Sequence, residues 1–200
     1  MNPITFFLRR LCPWQIFLLL GIAACLIFAS SVILQAAHDL SPCPLCIFQR
    51  LLFLILGLLA LFFAAMLALF SRLRLTTSRA TPWMCGALIL LCLGGLSVAV
   101  WQSLMQAVPN LVTECSYTDP GPIERFIDWL GIAWMEALDW QEENAAQAML
   151  SRLFYATGTC ASKEWTLFGL SLANCSAVAF FVFGVSGIVA ARHGKIECET

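Results

Sequence analysis

Charge is what this 200-residue chain has least of. Only 12% of its residues are Asp, Glu, Lys or Arg, against about 25% in soluble domains. Tyrosine and histidine are scarce as well, at two residues each, while 60% of the chain is hydrophobic and the net charge is −1. So little charge excludes a water-solvated surface, and no basic face is available for nucleic acid. Four stretches contain no charged side chain: Leu11–His38, Leu51–Ser71, Ala80–Thr113 and Trp165–Ala191. Each exceeds the ~20 residues that a helix needs to cross the hydrocarbon core. Lipid leaves no partner for an unpaired backbone amide, so such spans must be helical.

The sequence therefore predicts an all-α membrane protein, one integral membrane domain over 1–200 built as a four-transmembrane-helix bundle. The expected spans are about 14–34, 48–70, 82–104 and 171–191. The first follows Arg9 and Arg10 but has an apolar core longer than the ~7–15 residues of a cleaved signal, so it is read as a retained helix. Basic residues set the orientation. Arg9, Arg10, Arg72, Arg74, Arg79, Arg192 and Lys195 fall on one side, while the segment from Glu114 to Glu164 on the other carries nine acids. Both termini are thus expected in the cytoplasm. Two loops face outward, a short one near 35–46 and a long one near 105–170.

In the long loop, Ile123, Phe126, Ile127, Leu130 and Trp134 recur at spacings of three and four, the period of an amphipathic helix. Trp129, Trp134 and Trp140 suit the headgroup level, so this helix is expected to lie at the interface.

The same topology sorts the ten cysteines. Cys12 and Cys198 fall on the reducing side, where thiols are normally free. Cys25, Cys85, Cys92 and Cys175 fall within the spans, where cysteine packs as a small apolar residue. Cys43, Cys46, Cys115 and Cys160 lie outside, where disulfides form. Structural disulfides, a zinc site and redox exchange are all compatible with that set. Haem attachment is not, because Ile47 stands where Cys-x-x-Cys-His needs histidine.

Local chemistry favours exchange at the first pair. In Ser41-Pro42-Cys43-Pro44-Leu45-Cys46, Pro44 suits the first helical position, which makes Cys43 the N-cap and places Cys46 in the first turn. Both sulfurs would sit near free backbone N–H groups, where a thiolate is favoured and therefore reactive. Arg50 follows Cys46 by four residues, on the same face one turn deeper. A cation at membrane depth is costly and marks function. A dithiol opening toward the bilayer, with a cation beneath it, suggests a lipid-soluble electron acceptor such as a quinone.

With these residues in view, the chain resembles the DsbB family of membrane disulfide-forming proteins. The likeness rests on Cys43-Pro-Leu-Cys46-Ile-Phe-Gln-Arg50 opening the second of four helices and on the Cys115…Cys160 pair in the second outer loop. The run GTCASKEWTLFGLSLANCS adds to it, and the whole covers about 14–191.

The resemblance implies a protein-dithiol:quinone oxidoreductase of the bacterial inner membrane. A reduced periplasmic DsbA-like protein of the thioredoxin fold would attack a Cys115–Cys160 disulfide, forming a mixed disulfide through Cys115. Cys43–Cys46 would reoxidise that pair, and electrons would leave through Cys46 to ubiquinone or menaquinone beside Arg50. No metal is implied.

Two departures stand out. The 44 residues between Cys115 and Cys160 form a longer spacer than in common members, which points toward a dedicated partner as in the DsbI branch. Many members also carry an Arg-His pair near the outer end of helix three. Here that neighbourhood reads Val98-Ala99-Val100-Trp101-Gln102, and Gln102 is the candidate donor to a quinone oxygen. A vitamin-K-epoxide-reductase-like protein, with its active Cys-x-x-Cys late in the bundle, is the rival enzyme class. A non-catalytic protein with outer loops pinned by disulfides or zinc is the rival of another kind.

Overall fold

A computed structural model describes residues 12–38, 43–73, 80–108, 125, 129, 166–167 and 169–193. Four long helices account for most of them: α1 (Pro13–His38), α2 (Pro44–Arg72), α3 (Ala80–Ala107) and α4 (Leu172–His193). All four are long and apolar enough to cross a membrane. The expected four-helix membrane fold is what the chain adopts.

Helix ends reach beyond the spans that charge and hydropathy mark out. No proline or glycine interrupts the run from Leu34 to His38, and its Gln and Ala residues are good helix formers, so α1 continues to His38. At the other end of the connection α2 starts at Pro44, where proline's fixed φ and missing N–H fit the first turn.

A short antiparallel hairpin precedes α4. Strand β1 (Thr166–Leu167) pairs with β2 (Leu170–Ser171) in the register Thr166↔Ser171 and Leu167↔Leu170. The turn needs Gly169, whose φ of 81° lies in a region that side chains rarely tolerate. The Ser171 hydroxyl accepts a hydrogen bond from the Asn174 amide at 3.4 Å and so caps α4.

Each long helix contributes to two compact units. The first contains α1 through Phe28, α2 from Leu52, α3 through Leu96 and α4 from Val178. Its interior is aromatic and aliphatic. Phe53 stacks on Phe180 with ring centroids 4.1 Å apart and meets Phe183 edge-on at 6.3 Å, while Phe17 meets Phe63 at 6.1 Å. Helices α1 and α2 approach closely at Gly57, where a Cβ would lie 2.7 Å from the Cys25 sulfur and 3.3 Å from the Gly21 carbonyl oxygen. Close backbone approach through small residues is how helices gain contact in lipid, where burial of apolar surface supplies no drive. Leu26, Leu58, Leu90 and Phe181 point outward and are more than half exposed, as side chains solvated by acyl chains would be.

The second unit contains the remainder of α1, α2 and α3 together with the hairpin and the start of α4. Its buried residues differ in kind: Gln35, Gln49, Gln102, Gln106 and Ser171 are all there. Burying a primary amide is costly unless it is hydrogen-bonded, so the glutamines of this unit call for partners within it.

Candidate functional site

The site is built on the first turn of α2. Cys43 is the N-cap: its carbonyl oxygen accepts the Ile47 amide at 3.1 Å and its sulfur accepts the Cys46 amide at 3.2 Å. This is the Ser/Thr/Asp capping pattern, with a thiol in place of the oxygen. Helix α1 begins with the same dipeptide, Cys12-Pro13, and the same register. There the Cys12 carbonyl accepts the Gln15 amide at 2.9 Å, and the Gln15 side chain accepts the Cys12 amide at 3.0 Å.

Capping brings the two thiols together. The sulfurs of Cys43 and Cys46 are 2.6 Å apart, and neither residue is disulfide-bonded. Cys43 is buried and Cys46 partly exposed. Leu45 packs with Cys43, and Val98 and Met105 of α3 close over the pair. The sulfurs sit in contact on one helical turn, where a Cys-x-x-Cys pair is spaced to form a disulfide.

Polar side chains surround the pair in a defined order. The Gln102 Nε2 group donates to the Cys43 sulfur at 3.2 Å and to the Cys46 sulfur at 3.1 Å. Gln49 in turn donates through Nε2 to the Gln102 Oε1 at 2.7 Å. Arg50 donates to the Gln35 Oε1 and is near enough to both sulfurs to interact with them electrostatically. The guanidinium is thus held between an amide on α1 and the dithiol on α2.

Of the residues singled out by sequence, Cys43, Cys46, Arg50 and Gln102 converge in this unit. Gln102, expected to donate to a quinone oxygen, directs its amide nitrogen at the two sulfurs in this arrangement. Cys115 and Cys160 lie outside the described residues, as does most of the amphipathic segment. Within it Arg125 and Trp129 are helical and exposed.

Gln35 and Gln49 were not anticipated, although Gln49 follows Cys46 by three residues and therefore shares its face. Both stand out only as amides beside long apolar runs. Cys25, Cys85, Cys92 and Cys175 are free thiols, with Cys85 and Cys92 buried, in keeping with a packing role. Cys12 departs from expectation: it is disulfide-bonded. The compartment rule says which thiols a redox buffer tends to keep reduced; it does not say which ones the fold brings together.

Four membrane-length helices with a pair of cysteines at the head of the second define a multi-pass membrane protein with a dithiol at one helix end. The family model described as Disulfide bond formation protein DsbB matches residues 13–190. A disulfide bond formation protein B from Dechloromonas aromatica is 39% identical over 174 residues, covering 87% of this chain and 86% of its own. One from Azoarcus is 31% identical over 154 residues, 77% of each chain. Disulfide bond formation protein B 1 of Pseudomonas aeruginosa is 29% identical over 178 residues, 86% of this chain and 90% of its own. No solved structure matches the chain. The chain belongs to the DsbB family of disulfide bond formation proteins.

Proposed function

We propose that this protein is a protein-dithiol:quinone oxidoreductase that reoxidises a periplasmic DsbA-like thiol oxidase. The observation that carries the reading is the Cys43–Cys46 dithiol, in sulfur contact at the head of a membrane-spanning helix, with Arg50 beside it.

Exchange begins at the outer pair. The thiolate of a reduced partner attacks Cys115 of a Cys115–Cys160 disulfide, giving a mixed disulfide and releasing the Cys160 thiolate. The partner's second thiolate resolves the mixed disulfide, leaving the partner oxidised and Cys115 and Cys160 reduced. That dithiol then attacks the Cys43–Cys46 disulfide in the same way, so the two electrons arrive at Cys43 and Cys46.

The residues around Cys46 fit a quinone. Arg50 offers a cationic hydrogen-bond donor at membrane depth, Val98 and Met105 offer apolar wall, and Cys46 is partly exposed. When bound, a quinone supplies a two-electron, two-proton acceptor, whether ubiquinone or menaquinone. Arg50 orients the acceptor's oxygen and balances the negative charge of the thiolate, and Gln35 fixes the guanidinium. In this reading both termini are cytoplasmic, the redox cysteines face the periplasm, and the membrane is the bacterial inner membrane.

The test is quinone reduction by the purified protein, driven by a reduced DsbA-type partner, in wild type and in Cys46→Ser. Turnover in the wild type that vanishes in the variant is expected. A folded wild type that oxidises the partner but never reduces quinone would refute the quinone as acceptor.

A further inference from the structure

We infer that Gln49 and Gln102 form a positioning pair that sets the redox poise of Cys43–Cys46. The inference rests on the reading that these two cysteines cycle between dithiol and disulfide, and is independent of partner and quinone.

Both amides are almost wholly removed from solvent, at 3% and 1% exposure, and they belong to different helices. A lone glutamine over two sulfurs has no preference built into its shape: turned one way it offers two N–H donors, turned the other a carbonyl oxygen. A thiolate gains from the first arrangement and is repelled by the second. The Gln49 donor on Oε1 at 2.7 Å decides between them, because only the first arrangement gives Gln49 an acceptor. The Gln102 Nε2 then faces both sulfurs, at 3.2 and 3.1 Å, and since these are 2.6 Å apart one N–H is shared between them. Gln49 thus acts on the cysteines without touching them.

Sulfurs of a dithiol or thiolate carry more negative charge than those of a disulfide and accept hydrogen bonds better. Donors held on them therefore stabilise the reduced pair and raise its reduction potential, the same sense in which a stabilised reduced form makes a strong thiol oxidant. A buried donor is held in place before any electron arrives, so little reorganisation is needed when the pair is reduced.

The test equilibrates the detergent-solubilised full chain with glutathione and glutathione disulfide. The Cys43–Cys46 disulfide takes two electrons and two protons from two glutathione thiols, giving the dithiol and one glutathione disulfide. After acid quench and alkylation, mass spectrometry of the peptide containing both cysteines gives the equilibrium constant.

Gln102→Met, which keeps the length and removes the donors, is expected to shift the equilibrium toward disulfide by about tenfold, equal to about 30 mV for a two-electron couple. Gln49→Met is expected to shift it in the same direction by less. The double variant is expected to match Gln102→Met, since Gln49 acts only through Gln102. A folded Gln102→Met with the wild-type constant overturns the inference, as does a Gln49→Met effect that persists undiminished in the double variant. A wild-type pair that never exchanges with glutathione overturns the redox reading itself.

Discussion

At the scale of single residues, the site depends on a cation kept where cations are expensive. Arg50 sits on a helix that spans a membrane, and the Gln35 carbonyl and the nearby sulfurs are what make its position tolerable. Arg50→Met is expected to slow quinone reduction at least tenfold, about 1.4 kcal/mol of barrier, while exchange with the protein partner proceeds at nearly the wild-type rate. Stopped-flow measurement of the two half-reactions separates them, and unchanged quinone kinetics would remove Arg50 from its proposed role. Cys43, Cys46 and Arg50 were legible in the sequence because their relationship is local. An N-cap, a third position and a step of four residues are spacings that one helix converts into geometry. Gln49 and Gln102 are 53 residues apart, and no periodicity encodes a meeting between helices. Gln102 drew notice only because it lies where the resemblance leads one to expect an Arg-His pair, and its contact with sulfur follows from packing.

At the scale of helices, hydropathy located all four spans but not their ends. The additional turns of α1 and α3 and the early start of α2 carry Gln35, Met105 and Cys46, with Cys43 as the cap, so part of the site comes from the ends hydropathy leaves ambiguous, while Gln49, Arg50, Val98 and Gln102 lie within the expected spans. The close approach of α1 and α2 was equally hidden, because a glycine in an apolar run gives no sign of what faces it. Gly57→Val places two methyl-bearing branches where the Cys25 sulfur and the Gly21 carbonyl already stand. Overpacking of this kind costs about 1–3 kcal/mol. The variant is expected to unfold several degrees lower in detergent while its surviving native fraction keeps the Cys43–Cys46 exchange constant. An unchanged melting temperature would mean that the two helices separate there without loss.

At the scale of the whole molecule, chain direction and redox chemistry are tied together by the membrane. In the proposed orientation seven basic side chains fall on the cytoplasmic side and the nine acids of 114–164 on the other, which would put Cys43 and Cys46 on the oxidising side. Alkaline phosphatase fused after Asn110 is expected to be active and after Thr76 inactive, since the enzyme matures only outside the cytoplasm. The reverse pattern would put the dithiol among cytoplasmic reductants and end the proposed electron route. The Cys12 disulfide stands apart from this scheme and was not legible at all, since a compartment rule gives an average and a fold gives an instance.

The cap on α2 has a consequence for how the molecule responds to its own chemistry. The sulfur that would receive electrons in the proposed cycle is also the atom that satisfies a backbone amide at the head of a spanning helix. Whatever weakens that sulfur as an acceptor, whether a disulfide with Cys46 or a bond to another thiol, also loosens the first turn. Reduction tightens it again. Charge state and helix order would then be linked quantities, and amide hydrogen exchange at Cys46 is expected to be slower in the reduced pair than in the disulfide.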